Sequence, residues 1–164
     1  MLNVKNAEIA DLEQIMKIYR YAQDYMIKSG NPTQWGHFYP DADLIKSDID
    51  KNACKVIYDK NGIHGVFALF DGTEPTYKHI EGGNWLNEEP YLTIHRLAGD
   101  GQVHGLFPCA LNYCKKISCD ILPSGCISEG CNSYEKRYGK SFFKLQSAYI
   151  RGLLQGGRSA CFAE

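Results

Sequence analysis

Residues 91–97, YLTIHRL, run straight into a glycine-bearing stretch, AGDGQVHG, and then into LFPCALNYCKKI. This junction constrains the fold more than any other part of the chain. The first run is rich in β-branched and apolar residues and reads as a strand. PCALNYCKKI reads as a helix, because proline is tolerated in a first helical turn. A helix that opens directly after a strand leaves its first backbone N–H groups unpaired. Together with the helix dipole they form a place for an anion. Gly99, Gly101 and Gly105 would let an anion come close, since glycine has no side chain in the way. The alternative is a turn that holds nothing. It is not a Walker loop, because no Gly-Lys-Ser/Thr follows. Nor is it the dinucleotide-binding fingerprint: the glycine spacing is wrong and the first strand–turn–helix unit is absent.

The rest of the chain supplies a consistent set of elements. LNVK, residues 2–5, reads as a short first strand. Leu12, Ile15, Met16, Tyr19, Ala22 and Met26 recur at helical spacing and give one apolar face. Asp11 and Gln14 form a loose capping box at its start, and Gly30 ends it. NPTQWGHFYP is a loop, and a shorter helix is expected from Asp41 to about Asn52, with Leu44, Ile45 and Ile49 inward. CKVIYD, a turn at KNG, and IHGVFALF read as a β-hairpin. A long connection rich in Gly, Pro and Glu separates it from YLTIHRL. The order is strand, helix, helix, strand, strand, strand, loop, helix. It predicts an α/β fold of the mixed-sheet, α+β kind, without the strict alternation of a doubly wound parallel sheet.

The 164 residues suit one domain with a real core. Eighteen basic and nineteen acidic residues leave a formal net charge of −1. There is no global pull toward nucleic acid or anionic lipid, and neither partner is expected. The N-terminal sequence lacks the basic start and apolar block of a signal peptide. No apolar run approaches the roughly 18–20 residues of a membrane span. The cytoplasm is the expected location. Seven cysteines, an odd number, then suggest reduced thiols. Cys109, Cys114, Cys119, Cys126 and Cys131 are separated by four, four, six and four residues. Zinc sites usually space their pairs by two to four, and positions five apart on a helix turn by about 140°. No metal site is expected.

The run HRLAGDGQVHGLF resembles the acetyl-CoA signature of the GNAT family of N-acetyltransferases. That signature is a central strand, a short gap, then Gln/Arg-x-x-Gly-x-Gly/Ala opening a helix. Gln102 and Gly105 match, while Phe107 stands where Gly or Ala is usual. The upstream order of elements also matches. NPTQWGHFYP, GIHGVFALF, PTYKHI and EPYLTIHR are similar to one bacterial subgroup of these enzymes. The resemblance covers roughly residues 1–121 and implies direct acetyl transfer from acetyl-CoA, as cosubstrate, to an amine of a small molecule or peptide. It implies that the strand bearing Leu97 and Ala98 pairs with the pantetheine arm. The amides of Gln102, Val103, His104, Gly105, Leu106 and Phe107 would hold the pyrophosphate, and a backbone N–H near Leu97 would meet the oxyanion. A homodimer is a candidate assembly, as dimers are common in such folds.

His95 is the first candidate base. It lies two residues before Leu97, so the two are expected to share a strand face, with Arg96 pointing the other way in a structural role. The alternative for His95 is a hydrogen-bonded interior histidine. Glu89 is a second candidate base, acting through water, or else a solvated loop carboxylate. Residues 71–89 carry five carboxylates against Lys78 alone, together with Tyr77 and Trp85. An acidic, aromatic loop suits an amine-bearing acceptor, and it equally suits plain solvent. Tyr25 and Trp35 are candidates for the opposite wall, although Trp35 also suits an anchor between loop and core.

After Ile121 the sequence departs from the family pattern. A strand, then often Asn, then a helix with a thiolate-protonating Tyr and a Gly-Phe ending would follow. Here Pro123, Ser124 and Gly125 spoil a central strand, and Tyr138 is the candidate proton donor. One hypothesis is a reading-frame change near codon 122. Reading the DNA in the other two frames tests it, and neither frame giving strand–Asn–helix–Gly-Phe would rule it out. The alternative to an active enzyme is an acyl-CoA-binding domain with impaired catalysis and a disrupted C-terminal half.

Overall fold

A computed structural model of the protein describes residues 1–71, 92–121 and 143–145. The elements follow the expected order. They are β1 (Asn3–Asn6), α1 (Leu12–Lys28), α2 (Ala42–Asp50), β2 (Cys54–Asp59), β3 (Gly62–Asp71), β4 (Leu92–Gly99), α3 (Leu106–Ile121) and β5 (Phe143–Leu145). The strands form one sheet in the order β1-β2-β3-β4-β5. β1 to β4 pair antiparallel, whereas β5 runs parallel to β4, with Leu92, Thr93 and Ile94 opposite Phe143, Lys144 and Leu145. The mixed α/β class expected from the sequence is the one observed. The parallel neighbour of β4 comes from FKL at 143–145, well past the Pro123–Gly125 stretch.

Helices cover both faces of the sheet. Ile15, Ile18, Tyr19, Ala22 and Met26 of α1 and Ile45 of α2 pack with Val56, Val66 and Ala98. Ala110 and Cys114 of α3 pack on the other face, with Ile57, Phe67, Ile94 and Leu97. The start of α1 differs from expectation. A short 3-10 turn, Ile9–Asp11, precedes the helix, so the donor in need of a partner lies one turn earlier. The Asp11 carboxylate accepts from the Glu8 N–H at 3.0 Å and pairs with Lys5 at 2.9 Å. At the far end, Gly30 has φ of 91°. That left-handed turn lets the Asn31 N–H reach the Met26 carbonyl at 2.9 Å, closing the helix. Asp41 caps α2, accepting from the Leu44 N–H at 2.8 Å.

The feature that shapes the site is a bulge in β4. Val66 pairs with Ala98 and Ala68 with His95, so Phe67 alone faces both Arg96 and Leu97. Arg96 takes φ of 51°, a conformation usually left to glycine in such bulges. Its surroundings hold it there. Its guanidinium pairs with the buried Asp48 carboxylate, donates to the Tyr39 hydroxyl at 3.3 Å and lies 5.8 Å from the centre of the Phe70 ring. Its carbonyl accepts from the Tyr19 hydroxyl at 3.1 Å. Burial works against the charge on Arg96, but Asp48 outweighs it and keeps the guanidinium protonated.

The extra residue changes the phase of the strand. Leu92, Ile94 and Leu97 all reach the α3 side, while Ala98 lies on the α1 side. His95 sits opposite Ala68, and its ring meets Phe70 edge-on at 5.5 Å, on the side of α1 and α2. The expected sharing of a face by His95 and Leu97 is therefore corrected. Strict alternation fails at a bulge, so His95 and Arg96 lie on one side and Leu97 on the other.

Removing one partner of a buried pair strands the other charge. Asp48→Ala and Arg96→Ala should each lower stability by about 3–5 kcal/mol. In urea unfolding the double variant should lose clearly less than the sum of the two. Additive losses would show that the pair does not act as a unit.

Candidate functional site

β4 ends at Gly99, and α3 opens at Leu106 after a loop of Asp100–Gly105. Two glycines make the floor of this junction. A Cβ on Gly99 would fall 2.4 Å from Leu106 Cδ1, and one on Gly65 would fall 3.0 Å from Leu106 Cδ2. The Leu106 side chain lands on them, which brings the start of α3 close to the end of the strand. Leu106 can therefore offer a ligand its amide and not its side chain. Gly101, with φ of 75°, lies under Tyr21, whose hydroxyl would be 2.2 Å from an added Cβ. Gly105, with φ of 85°, has no described residue within 4 Å on its Cβ side.

The first helical bond of α3 runs from the Cys109 N–H to the Gly105 carbonyl at 3.0 Å. Ahead of it, the N–H groups of Val103, His104, Gly105 and Leu106 donate to no acceptor among the described residues. Gln102 is different. Its N–H donates to Asp100 Oδ1 at 2.9 Å, so it is already engaged where the sequence reading had it among the phosphate-binding amides. Phe107 is half-buried and packs on the α3-side core. That placement explains how a large side chain is tolerated where the signature usually has Gly or Ala.

Sequence reasoning missed what holds the loop from behind. Asp100 Oδ2 lies 2.8 Å from His64 Nδ1, and His64 Nε2 lies 3.0 Å from Asp59 Oδ1. Burial works against the charged ring, but the hydrogen bonds that the ring donates to Asp100 and Asp59 outweigh it, so His64 titrates above its ordinary range. Asp59 is held below the usual carboxylate range, first by the Asn61 N–H and then by His64. Asp48 was missed as well. It falls on the inward face of a helix read only for its apolar residues.

The other candidates are scattered. Leu97 and Ala98 are buried on opposite faces of β4. The described part of β5 ends opposite Ile94, so the outer edge of β4 at Leu97–Gly99 faces no described strand. His95 is buried beside Phe70. His104 is exposed and Val103 half-buried. Tyr25 is partly exposed on α1. Trp35 is in the core, edge-on to Tyr19 at 5.7 Å and to Tyr39 at 6.5 Å, which is the anchoring alternative. Glu89, Tyr77, Trp85 and Tyr138 lie outside the described residues. Cys54 and Cys114 are buried thiols, pushed up to about 12 by burial. Their thiolates are scarce at neutral pH, and so is nucleophilic reactivity. No described helix is long and apolar enough to cross a membrane.

The fold matches solved structures. One is a GNAT-family acetyltransferase from Streptococcus agalactiae, with 24% identity, 74% of this chain and 70% of that chain covered, and a TM-score of 0.62. Another is a GNAT-family acetyltransferase from Listeria monocytogenes, with 15% identity, 99% and 94% covered, and a TM-score of 0.58. No protein-family model matches the chain, and no curated protein does. The chain has the fold of the GNAT acetyltransferases.

A side chain at Gly101 would meet both a left-handed backbone and the Tyr21 ring. Gly101→Ala should lower stability by about 1–2 kcal/mol from the backbone alone, with more from the contact. Adding Tyr21→Ala should return part of that loss in thermal unfolding. If Gly101→Ala costs nothing, the loop does not take this conformation.

Proposed function

We propose that the protein is an acetyl-CoA-dependent N-acetyltransferase acting on an amine of a small molecule or peptide. The observation that carries this reading is the juxtaposition at the end of β4. A bulged strand leads, through a short glycine loop, into a helix start where the N–H groups of Val103, His104, Gly105 and Leu106 meet no acceptor among the described residues. The edge at Leu97–Gly99 suits an extended, amide-bearing arm. The amides of Val103–Leu106, with no described residue within 4 Å on the Cβ side of Gly105, suit a pyrophosphate. Acetyl-CoA supplies the activated acyl group.

The residues of the chain do the rest. They hold the arm, and a backbone N–H near Leu97 stabilises the oxyanion formed when the amine attacks the thioester carbon. That attack needs a base to take the amine proton, and the departing thiolate needs a proton back. His95 is the candidate base, working from the side of α1 and α2. Glu89 is the second candidate, and Tyr138 is the candidate donor to the thiolate. Tyr25, Tyr77 and Trp85 are the candidate acceptor walls. A homodimer and a cytoplasmic location complete this reading.

A second reading, an acyl-CoA binder with impaired catalysis, is favoured by one observation. His95 is buried against Phe70 rather than open on the face of Leu97.

Acetyl-CoA at a hundred times its dissociation constant should add roughly 2.7 kcal/mol of stability in a thermal-shift assay. Release of free CoA with a panel of amines should then separate the enzyme from the binder. No thermal shift would sink both readings.

A further inference from the structure

His64 is the extra residue of a second bulge. Ile57 and Tyr58 of β2 pair with Gly65 and Ile63, and His64 falls between them. Its ring is buried, and each ring nitrogen meets a carboxylate oxygen, from Asp100 at 2.8 Å and from Asp59 at 3.0 Å. An ionised carboxylate only accepts hydrogen bonds, so both ring nitrogens must donate, and only the imidazolium does that. Each carboxylate is fixed in turn. Asp59 accepts from the Asn61 N–H at 2.7 Å in the β2–β3 turn. Asp100 accepts from the Gln102 N–H at 2.9 Å, and its own N–H donates to the His64 carbonyl at 2.9 Å. A continuous chain of bonds thus ties the hairpin turn to the loop ahead of α3.

We propose that His64 is a positioning residue for this loop. As an imidazolium it ties Asp100 to the β2–β3 turn, so that Asp100 holds the Gln102 amide and keeps the Val103–Leu106 amides available to the phosphates of an acyl-CoA. The ligand in this statement rests on the acyl-transfer reading above, whereas the clamp rests on geometry alone. The imidazolium has a second effect. It offsets the charge of a carboxylate that sits three residues before the first of the amides meant to receive an anion.

The charged groups acting on the ring are Asp59, from the end of β2, and Asp100, from the end of β4. The contacts that α1 and α3 bring to this junction are Tyr21 on Gly101 and Leu106 on Gly65 and Gly99. The folded-state value of His64 is raised above the ordinary 6.5. While both carboxylates stay ionised, the clamp is therefore complete below that value, and it is lost as the pH rises through the folded one.

Titration of the whole chain followed by NMR tests this. The His64 ring should titrate above about 6.5, and the Gln102 amide signal should move with the same midpoint. Asp100→Asn, which removes one carboxylate, should lower that midpoint. A midpoint at or below the ordinary value, or a Gln102 amide blind to it, overturns the clamp. In calorimetry at about pH 6, just below the ordinary histidine value, His64→Gln should bind acetyl-CoA about tenfold more weakly, the worth of one charge-assisted hydrogen bond. Its affinity should also lack the wild-type fall across the His64 midpoint. Equal pH profiles for the two proteins overturn the link to the ligand. If the wild type binds no acetyl-CoA at any pH, the acyl-CoA reading fails, and the NMR titration still decides the clamp.

Discussion

The geometry of the site depends on the buried pair between Asp48 and Arg96. Taking both charges out of water costs several kcal/mol for each, and hydrophobic residues would fill the space more cheaply. What the pair supplies is conformation. Arg96 holds a left-handed φ of 51° in the middle of a strand, and the guanidinium is locked there by α2, by Tyr39 and by the Phe70 ring. The resulting bulge turns Leu97 to the α3 side, and β4 runs on past the described end of β5. Among the described residues, no strand faces the edge beyond Ile94.

The second bulge works on the loop in a related way. His64 and Arg96 are each placed by an irregularity in adjacent strands, and each is surrounded by acceptors on other elements. One sets the shape of the strand edge, and the other sets the loop that follows it. The glycines between them serve approach. Gly65 and Gly99 admit Leu106, and Gly101 admits the Tyr21 ring. Helix start, strand end and loop therefore fix one another.

Much of this was legible in the sequence, for a physical reason. Helical and strand periodicities are local, so Leu12–Met26, CKVIYD and IHGVFALF gave their elements within a few residues of the observed bounds. The junction before α3 was legible because proline and glycine mark its turn. The bulges were not read, although a trace of each was present. Inward residues Leu92, Ile94 and Leu97 step by two and then by three, and Ile63 and Val66 are three apart. Reading strict alternation through those steps put His95 on the wrong side. Asp48, His64 and Asp100 were missed because a buried polar residue declares itself only through partners remote in sequence. Asp48 lies 48 residues from Arg96, and His64 lies 36 from Asp100.

The part after Ile121 bears on the sequence reading differently. Pro123–Gly125 argued against a strand directly after α3 and lie outside the described residues, among which the parallel partner of β4 is the short FKL segment. The site as described rests on β3, β4, the Asp100–Gly105 loop and the start of α3, all within the part that carries the family resemblance. The most direct measurement is amide hydrogen exchange on the full chain with and without acetyl-CoA. Protection should appear in the backbone of Leu97–Leu106 and leave α1 and the β1–β2 pair unchanged. Binding that protects another part of the chain, with Leu97–Leu106 unaffected, would contradict the assignment of this edge and loop as the acyl-CoA site.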